Sequence, residues 1–232
     1  MTAEDYKEGQ VLLINKPLYQ TSFQVVNKIR WHIKQRFNIR KIKVGHAGTL
    51  DPLVTGLLII CTGKQTKNIS KYQSEVKEYI GTITLGGTTP SFDLETEVDQ
   101  KYPIDHIHSD FIYETAQKFI GRIQQKPPIF SAVKKDGKRL YELAREGKTV
   151  DIEPRKVTIS EFEITTIELP KIQFRVVCSK GTYIRSLAND FGKALQSGGH
   201  LSELQRTKIG DFSVTSAISL DGFIKNLNEF KA

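Results

Sequence analysis

The 232-residue chain has little with which to cross-link or anchor itself. Its two cysteines, Cys61 and Cys178, cannot make a disulfide framework. No apolar run approaches the roughly 20 residues that a membrane-spanning helix needs. The longest, Gly56-Leu57-Leu58-Ile59-Ile60-Cys61, has the length of a buried strand. The opening Met1-Thr2-Ala3-Glu4-Asp5 lacks the basic and apolar regions of a secretory leader. These absences lead to the expectation of a cytoplasmic protein. There is also no internal repeat and no low-complexity linker, so one domain over residues 1–232 is expected. Acid is missing too. From Gly9 to Leu50 there is no Asp or Glu, while Lys16, Lys28, Arg30, Lys34, Arg36, Arg40, Lys41 and Lys43 all fall there.

What is present suits a globular protein that meets a polyanion. Hydrophobic residues make up 38% and charged residues 26%, within the ordinary globular range. The net charge of +8 is unevenly spread. Residues 115–135 hold Lys118, Arg122, Lys126, Lys134 and Lys135 with no acid, whereas Asp93, Glu95, Glu97 and Asp99 crowd together. Such asymmetry favours one positive face for nucleic acid and an opposite, solvated acidic face over ordinary surface charge.

Periodicity outlines the elements. Gln10 to Asn15 reads as a short buried strand. Thr21 or Ser22 caps a helix whose Val26, Ile29, Ile33 and Phe37 share a face. Val76 to Gly86 reads as a strand, 109–120 as a helix capped by Ser109, and Arg139 to Glu146 as a short helix closed by Gly147. Val157 to Leu169 and Ile172 to Cys178 alternate as strands around Pro170-Lys171. Ile184, Leu187, Ala188, Phe191 and Leu195 mark another helix; 201–214 is extended and 220–227 is a last short helix. Strands outnumber helices without alternating regularly with them. The expected class is therefore α+β with a mixed or antiparallel central sheet. The acidic stretch 91–110 is the expected mobile connection.

Several motif-like stretches fail on their chemistry. Gly56 to Lys64 has the wrong spacing for a phosphate-binding loop, and Gln65 stands where Ser or Thr is required. His106 and His108 with stray acids make a weak metal signal that no second cluster supports. Asn68-Ile69-Ser70 is a glycosylation sequon without a secretory context. No Ser-His-Asp or Cys-His pattern stands out.

Other segments carry more. Gly45-His46-Ala47-Gly48-Thr49-Leu50-Asp51-Pro52 ends the basic region on its first carboxylate after Glu8. Surrounding cations favour the ionised form of Asp51, which can serve as base or nucleophile. Asp-Pro beside glycines is also common turn chemistry, and the local sequence by itself favours the turn. Tyr79, in Lys77-Glu78-Tyr79, can stack on a base, handle a proton or simply pack a strand. Ser179 to Arg185 runs from strand to helix and sets Tyr183 and Arg185 at the helix start. A cation is poorly placed at that end of a helix dipole, which suggests a purpose such as pairing with Asp51; a solvated arginine is equally compatible. Leu204-Gln205-Arg206-Thr207 places an arginine in an apolar strand.

Taken together and in order, these segments resemble the TruB family of tRNA pseudouridine synthases. The resemblance runs from about Gly9 to Phe212. It takes in Asn15-Lys16-Pro17 with Thr21-Ser22, the Gly45–Pro52 turn and Lys77-Glu78-Tyr79. It continues through Lys126-Pro127-Pro128-Ile129-Phe130, Lys180 to Arg185, and Leu204 to Gly210. It implies a pseudouridine synthase fold in which Asp51 attacks a flipped uridine. The detached base then rejoins the ribose through C5. Tyr79 would stack on the base and Arg185 would pair with Asp51, with Tyr183 beside it. Leu204 would wall the pocket, and His46 would fill the space the flipped nucleotide leaves. Lys16 and the basic helix after it would hold phosphates, and Arg206 would belong to the substrate-binding set. The implied substrate is the T-loop uridine at conventional position 55 of tRNA. A monomer is expected that needs no metal, cofactor, membrane or protein partner.

Three departures accompany the resemblance. Tyr19 stands where the family usually has glycine, so the first loop is expected to differ in shape. Phe130 stands where tyrosine is common. The chain stops at Ala232, so the small RNA-binding PUA domain of many members is expected to be absent. A non-catalytic RNA-binding module on the same scaffold, or a synthase for another RNA, is the alternative; the carboxylate Asp51 with Tyr79 and Arg185 favours an enzyme.

Overall fold

A computed structural model describes residues 1–131, 133–135, 137–146 and 150–229. In chain order the elements are α1 (Ala3–Glu8), β1 (Val11–Lys16), α2 (Ser22–Phe37), β2 (Val44–His46), β3 (Val54–Thr62), a 3-10 turn (Gly63–Asn68), α3 (Ile69–Ser74), β4 (Lys77–Leu85), β5 (Gly87–Thr88), β6 (Gln100–Lys101) and α4 (Ser109–Gln117). They continue with β7 (Gly121–Gln125), β8 (Lys134–Lys135), β9 (Lys138–Arg139), α5 (Leu140–Arg145), β10 (Arg155–Glu168), β11 (Lys171–Cys178), α6 (Ile184–Ala194), β12 (Gly199–Ile209), β13 (Phe212–Ser213), β14 (Ile218–Ser219) and α7 (Leu220–Glu229). The fold is α+β. The chain forms two compact units, one from Met1–Tyr79 with Leu204 onward, the other from Ile80–Glu203. The strands β4 and β12 each pass through both.

The first unit is built on β3. Leu58 and Ile60 point to one side, where Leu12 and Ile14 of β1 meet Val25, Val26, Ile29 and Ile33 of α2 and Phe223 and Leu227 of α7. Leu57, Ile59 and Cys61 point to the other side, against Ala47 and Ile209. Both faces are covered, which is why the segment reads as an unbroken apolar run rather than an alternating one. Its neighbours make a mixed sheet. β1 and β2 run antiparallel to β3, the β12 residues Leu204–Arg206 run parallel to Val54–Gly56, and β14 runs parallel to β1. Helix α2 begins as its sequence requires. Thr21 accepts from the Gln24 amide and Gln24 reaches back to Thr21, a reciprocal cap that satisfies otherwise unbonded amides.

In the second unit β11 and β7 flank β10, both antiparallel to it. Phe119, Phe162, Phe174 and Phe191 form a contiguous ring cluster inside it, with neighbouring centroids 5.4 to 6.3 Å apart. Three local expectations are corrected here. Helix α4 is capped by His108, not Ser109; the imidazole Nδ1 accepts from the Phe111 amide. The helix expected from Arg139 starts at Leu140, because Lys138–Arg139 pairs with Lys134–Lys135 as a hairpin; Gly147 lies outside the described residues. The stretch expected to be a mobile, solvated connection is tied down where it begins. Ser91 and Asp93 are buried, the Thr89 and Ser91 hydroxyls both donate to the Asp93 carbonyl, and Asp93 bridges Leu201. Glu95, Glu97 and Asp99 are exposed as expected.

Candidate active site

The Asp51 turn is held by side chains far from it in sequence. The Ser22 hydroxyl, buried at the start of α2, accepts from the Leu50 amide at 2.8 Å and donates to the Leu50 carbonyl at 3.1 Å. The residue just before Asp51 therefore cannot shift without breaking both bonds. The Asp51 carbonyl accepts from the Val54 amide at 3.1 Å, which closes the turn into β3. Gly48 takes the left-handed backbone the turn needs (φ +97°). Its carbonyl accepts from Arg206 Nη2 at 3.1 Å, while Arg206 Nε donates to the Leu57 carbonyl at 2.8 Å. One guanidinium thus ties the turn to the middle of β3. It can do so because β3 and β12 approach closely. At Gly56 (φ +102°) a Cβ would lie 2.3 Å from the Arg206 carbonyl oxygen, so only glycine fits.

Two residues expected to touch substrate do other work. Arg206 is 1% exposed and Lys16 is 0% exposed. The Lys16 ammonium donates to the Pro17 carbonyl at 2.8 Å and the Gln20 carbonyl at 2.6 Å, folding the Pro17–Gln20 loop around itself. Both buried cations spend their donors on backbone carbonyls. Both are positioning residues. They also shape the field at Asp51. Burial pulls the Lys16 pKa from 10.5 down to about 8; the Asp51 carboxylate works against the shift and Arg206 adds to it. Lys16, Asp51 and Arg206 therefore sense one another. His46, on β2, is half-buried. Burial first, and Arg206 second, push its pKa down, while the Gly48 backbone pulls the other way. The imidazole is neutral at pH 7, and its Nδ1 is buried without a hydrogen-bond partner among the described residues.

Tyr79 and Leu204, each 9% exposed, lie in the same unit on β4 and β12. Glu78 fixes those strands side by side. It accepts from the Thr207 hydroxyl at 2.8 Å and faces Lys208 Nζ at 3.4 Å. Such geometry can support a flat ring as well as fill a core. A second patch lies around the 3-10 turn. Lys7, Lys41, Lys43, Lys64 and Lys67 surround a cavity of about 250 Å³. Glu4 and Glu8 face Lys7 and Lys64, whereas Lys41, Lys43 and Lys67 have no ion pair among the described residues.

Tyr183 and Arg185 belong to the second unit. Tyr183 is the cap residue of α6; its amide donates to Gln125 Oε1 at 2.8 Å and its carbonyl accepts from Gln125 Nε2 at 3.1 Å. Arg185 is buried. It donates to the carbonyls of Ser91 at 3.2 Å and Phe130 at 2.9 Å, and its Nε lies 3.5 Å from the Asp93 carboxylate. The solvated-arginine reading is overturned. Asp93 was legible only as one of four clustered acids, and sequence reasoning missed both its burial and its partner. Ser22 was read only as a cap, because its bond to Leu50 spans the unit and leaves no local trace. His106 bonds the Leu195 carbonyl at 3.0 Å and His108 caps α4, so each has a structural task.

Residues 34–184 match the model of the TruB family pseudouridylate synthase N-terminal domain, and residues 185–231 match the tRNA pseudouridylate synthase B C-terminal domain. A protein named tRNA pseudouridine synthase B from Flavobacterium johnsoniae is 62% identical over 98% of this chain and 100% of its own length. One of the same name from Phocaeicola vulgatus is 55% identical over 97% and 96%. Among solved structures, a chain of a Cbf5-Nop10-Gar1 complex is 31% identical with a TM-score of 0.72, over 97% of this chain. A chain of an H/ACA RNP bound to a substrate RNA containing 2'-deoxyuridine is 29% identical with a TM-score of 0.68. This chain spans only 56% and 53% of those two. With adjoining family models from residue 34 to residue 231 and relatives more than half identical along nearly its whole length, the chain belongs to the TruB family of pseudouridylate synthases.

Proposed function

We propose that this chain is a tRNA pseudouridine synthase that isomerises the T-loop uridine at position 55, working as one catalytic domain. The observation that carries the reading is the Asp51 turn. A half-exposed carboxylate sits on a turn held by Ser22, Gly48 and Arg206, within electrostatic reach of the buried Lys16. A carboxylate so fixed is preorganised to attack rather than to bind phosphate, which it would repel. Asp51 is the nucleophile in this reading. Asp51 bonds transiently to the uridine, the N1–C1′ bond breaks, the base turns, a C5–C1′ bond forms, the bond to Asp51 is released, and the C5 proton leaves while N1 gains one. Tyr79 stacks on the base and takes part in removing that proton. Arg185, backed by Asp93, pairs with Asp51; Tyr183 lies beside it, and Leu204 walls the pocket.

Attack requires the target base outside its stack, at a cost of a few kcal/mol. A neutral His46 suits the space that the flipped nucleotide vacates, because an imidazole ring stacks without bringing charge into a base stack. The exposed members of the acid-free runs, Arg40, Lys41 and Lys43 among them, hold the T-arm phosphates. The relatives named tRNA pseudouridine synthase B support tRNA as substrate; in this reading the chain works as a monomer in the cytoplasm. The test is tritium release from 5-tritiated uridine in a tRNA transcript, with Asp51→Asn as control. Wild type should release tritium; the variant should lose release while keeping RNA affinity within a few fold. Turnover by the variant at the wild-type rate refutes Asp51 as nucleophile. No release by wild type refutes the function.

A further inference from the structure

The loop between β1 and α2 contains a residue in a conformation that costs energy. Tyr19 has φ +62°, in the left-handed region where a Cβ crowds its own backbone. The loop imposes this from three sides. The Lys16 ammonium draws the Pro17 and Gln20 carbonyls inward on either side of Tyr19. The Tyr19 amide donates to the Pro52 carbonyl at 2.8 Å, one residue past Asp51. Glycine would satisfy the same geometry without strain. Tyrosine gains nothing visible within the protein in exchange. Its side chain is 75% exposed and makes no hydrogen bond, ion pair or ring contact among the described residues. Four positions on, Phe23 is 63% exposed in the first turn of α2. Both residues stand in the acid-free run, and the Tyr19 amide ties its loop to the one that carries Asp51.

We infer that Tyr19, with Phe23 four residues on, stacks on an unpaired base of the RNA substrate next to the target nucleotide. The inference rests on the reading of the chain as an RNA-modifying enzyme. Single-stranded bases present flat apolar faces, and proteins recognise them by stacking aromatic rings on them. A strained, solvent-facing tyrosine fixed to the nucleophile's own loop sets such a base in register with Asp51. Its hydroxyl is not needed; its ring is. Backbone strain kept at an exposed position is what a binding role would leave behind, since the offsetting contact forms only in the complex.

The test uses the full chain, a T-arm stem-loop RNA, and the same RNA made abasic in turn at each loop position near the target. Tyr19→Gly should melt no lower than wild type, because strain is relieved, yet bind the intact stem-loop roughly tenfold more weakly. Tyr19→Phe should bind as wild type does. On one abasic RNA the Tyr19→Gly deficit should vanish, which identifies the base it touches. Wild-type affinity in Tyr19→Gly overturns the inference. So does an equal deficit on every abasic RNA, a matching loss in Tyr19→Phe, or a clear fall in melting temperature that would show the ring packing within the fold. These affinities are read with or without turnover. A chain that stacks but releases no tritium therefore refutes only the function, and one that releases tritium with Tyr19→Gly unaffected refutes only the stacking.

Discussion

Replacing Lys16 with methionine should leave a signature that depends on pH. The side chain is fully buried, donates to two carbonyls, and has a pKa of about 8 instead of 10.5. Burial dominates that shift, so the fold binds the Lys16 proton less tightly than the unfolded chain does. The gap is worth about 3 kcal/mol. Below pH 8 both states carry the proton and folding bears the whole cost. Between pH 8 and 10.5 the folded lysine gives up its proton while the unfolded one keeps it, so stability from this residue rises with pH. Methionine has nothing to titrate. At pH 7 the two proteins should differ little, because the variant loses two hydrogen bonds worth about 1 kcal/mol each but escapes burying a charge. By pH 10 the wild type should have gained about 2 kcal/mol on the variant. Urea midpoints and slopes for both proteins from pH 7 to pH 10 measure this, and other titrating groups cancel in the comparison. A stability difference that stays flat over that range would mean Lys16 keeps its ordinary pKa, and the account of the loop built around a desolvated ammonium would fall.

Gly56→Ala should cost about 3 kcal/mol, since its Cβ would meet the backbone of Arg206 and its φ suits no other residue; an unchanged urea midpoint would show that β3 and β12 part easily. Asp93→Asn should destabilise by about 3 kcal/mol and slow tritium release, because it removes the buried carboxylate that faces the Arg185 guanidinium; normal stability and rate would reduce that pair to a bystander. Replacing Arg40, Lys41, Lys43 and Lys67 together with glutamine should flatten the dependence of log affinity on log salt by up to about 0.9 for each phosphate no longer neutralised, while sparing single-turnover rate at saturating RNA. An unchanged slope would remove this face from the RNA path.

How much of this was legible in the sequence varied with the kind of information each residue carries. The α2 face, the Thr21 cap and the hairpin at Pro170 are local patterns, and local patterns survive into the fold. The buried cations were legible in principle and were misread. Leu12, Ile14 and Lys16 share one parity of β1, as Leu204 and Arg206 share one of β12, so strand alternation already pointed both cations inward. The attraction of lysine and arginine to phosphate overrode that signal. Asp93 and Ser22 left no comparable trace. Their partners, Arg185 and Leu50, are distant in sequence; Asp93 lies in no periodic element, and the place of Ser22 on the buried face of α2 does not say that its hydroxyl reaches Leu50. The strain at Tyr19 was visible only as an odd residue in a familiar motif, because a backbone angle is not written in any side chain.

The bond between Arg206 and Gly48 joins residues 158 positions apart. A ribosome making about 5 to 20 residues per second therefore takes roughly 8 to 30 s to supply the clamp after it has made the turn. All of residues 80–203, the second compact unit, emerges in between. Through that interval the nascent chain carries Asp51 without the guanidinium that fixes its turn. The side chain that pins the Asp51 turn thus comes late in synthesis, a delay written into the order of the chain.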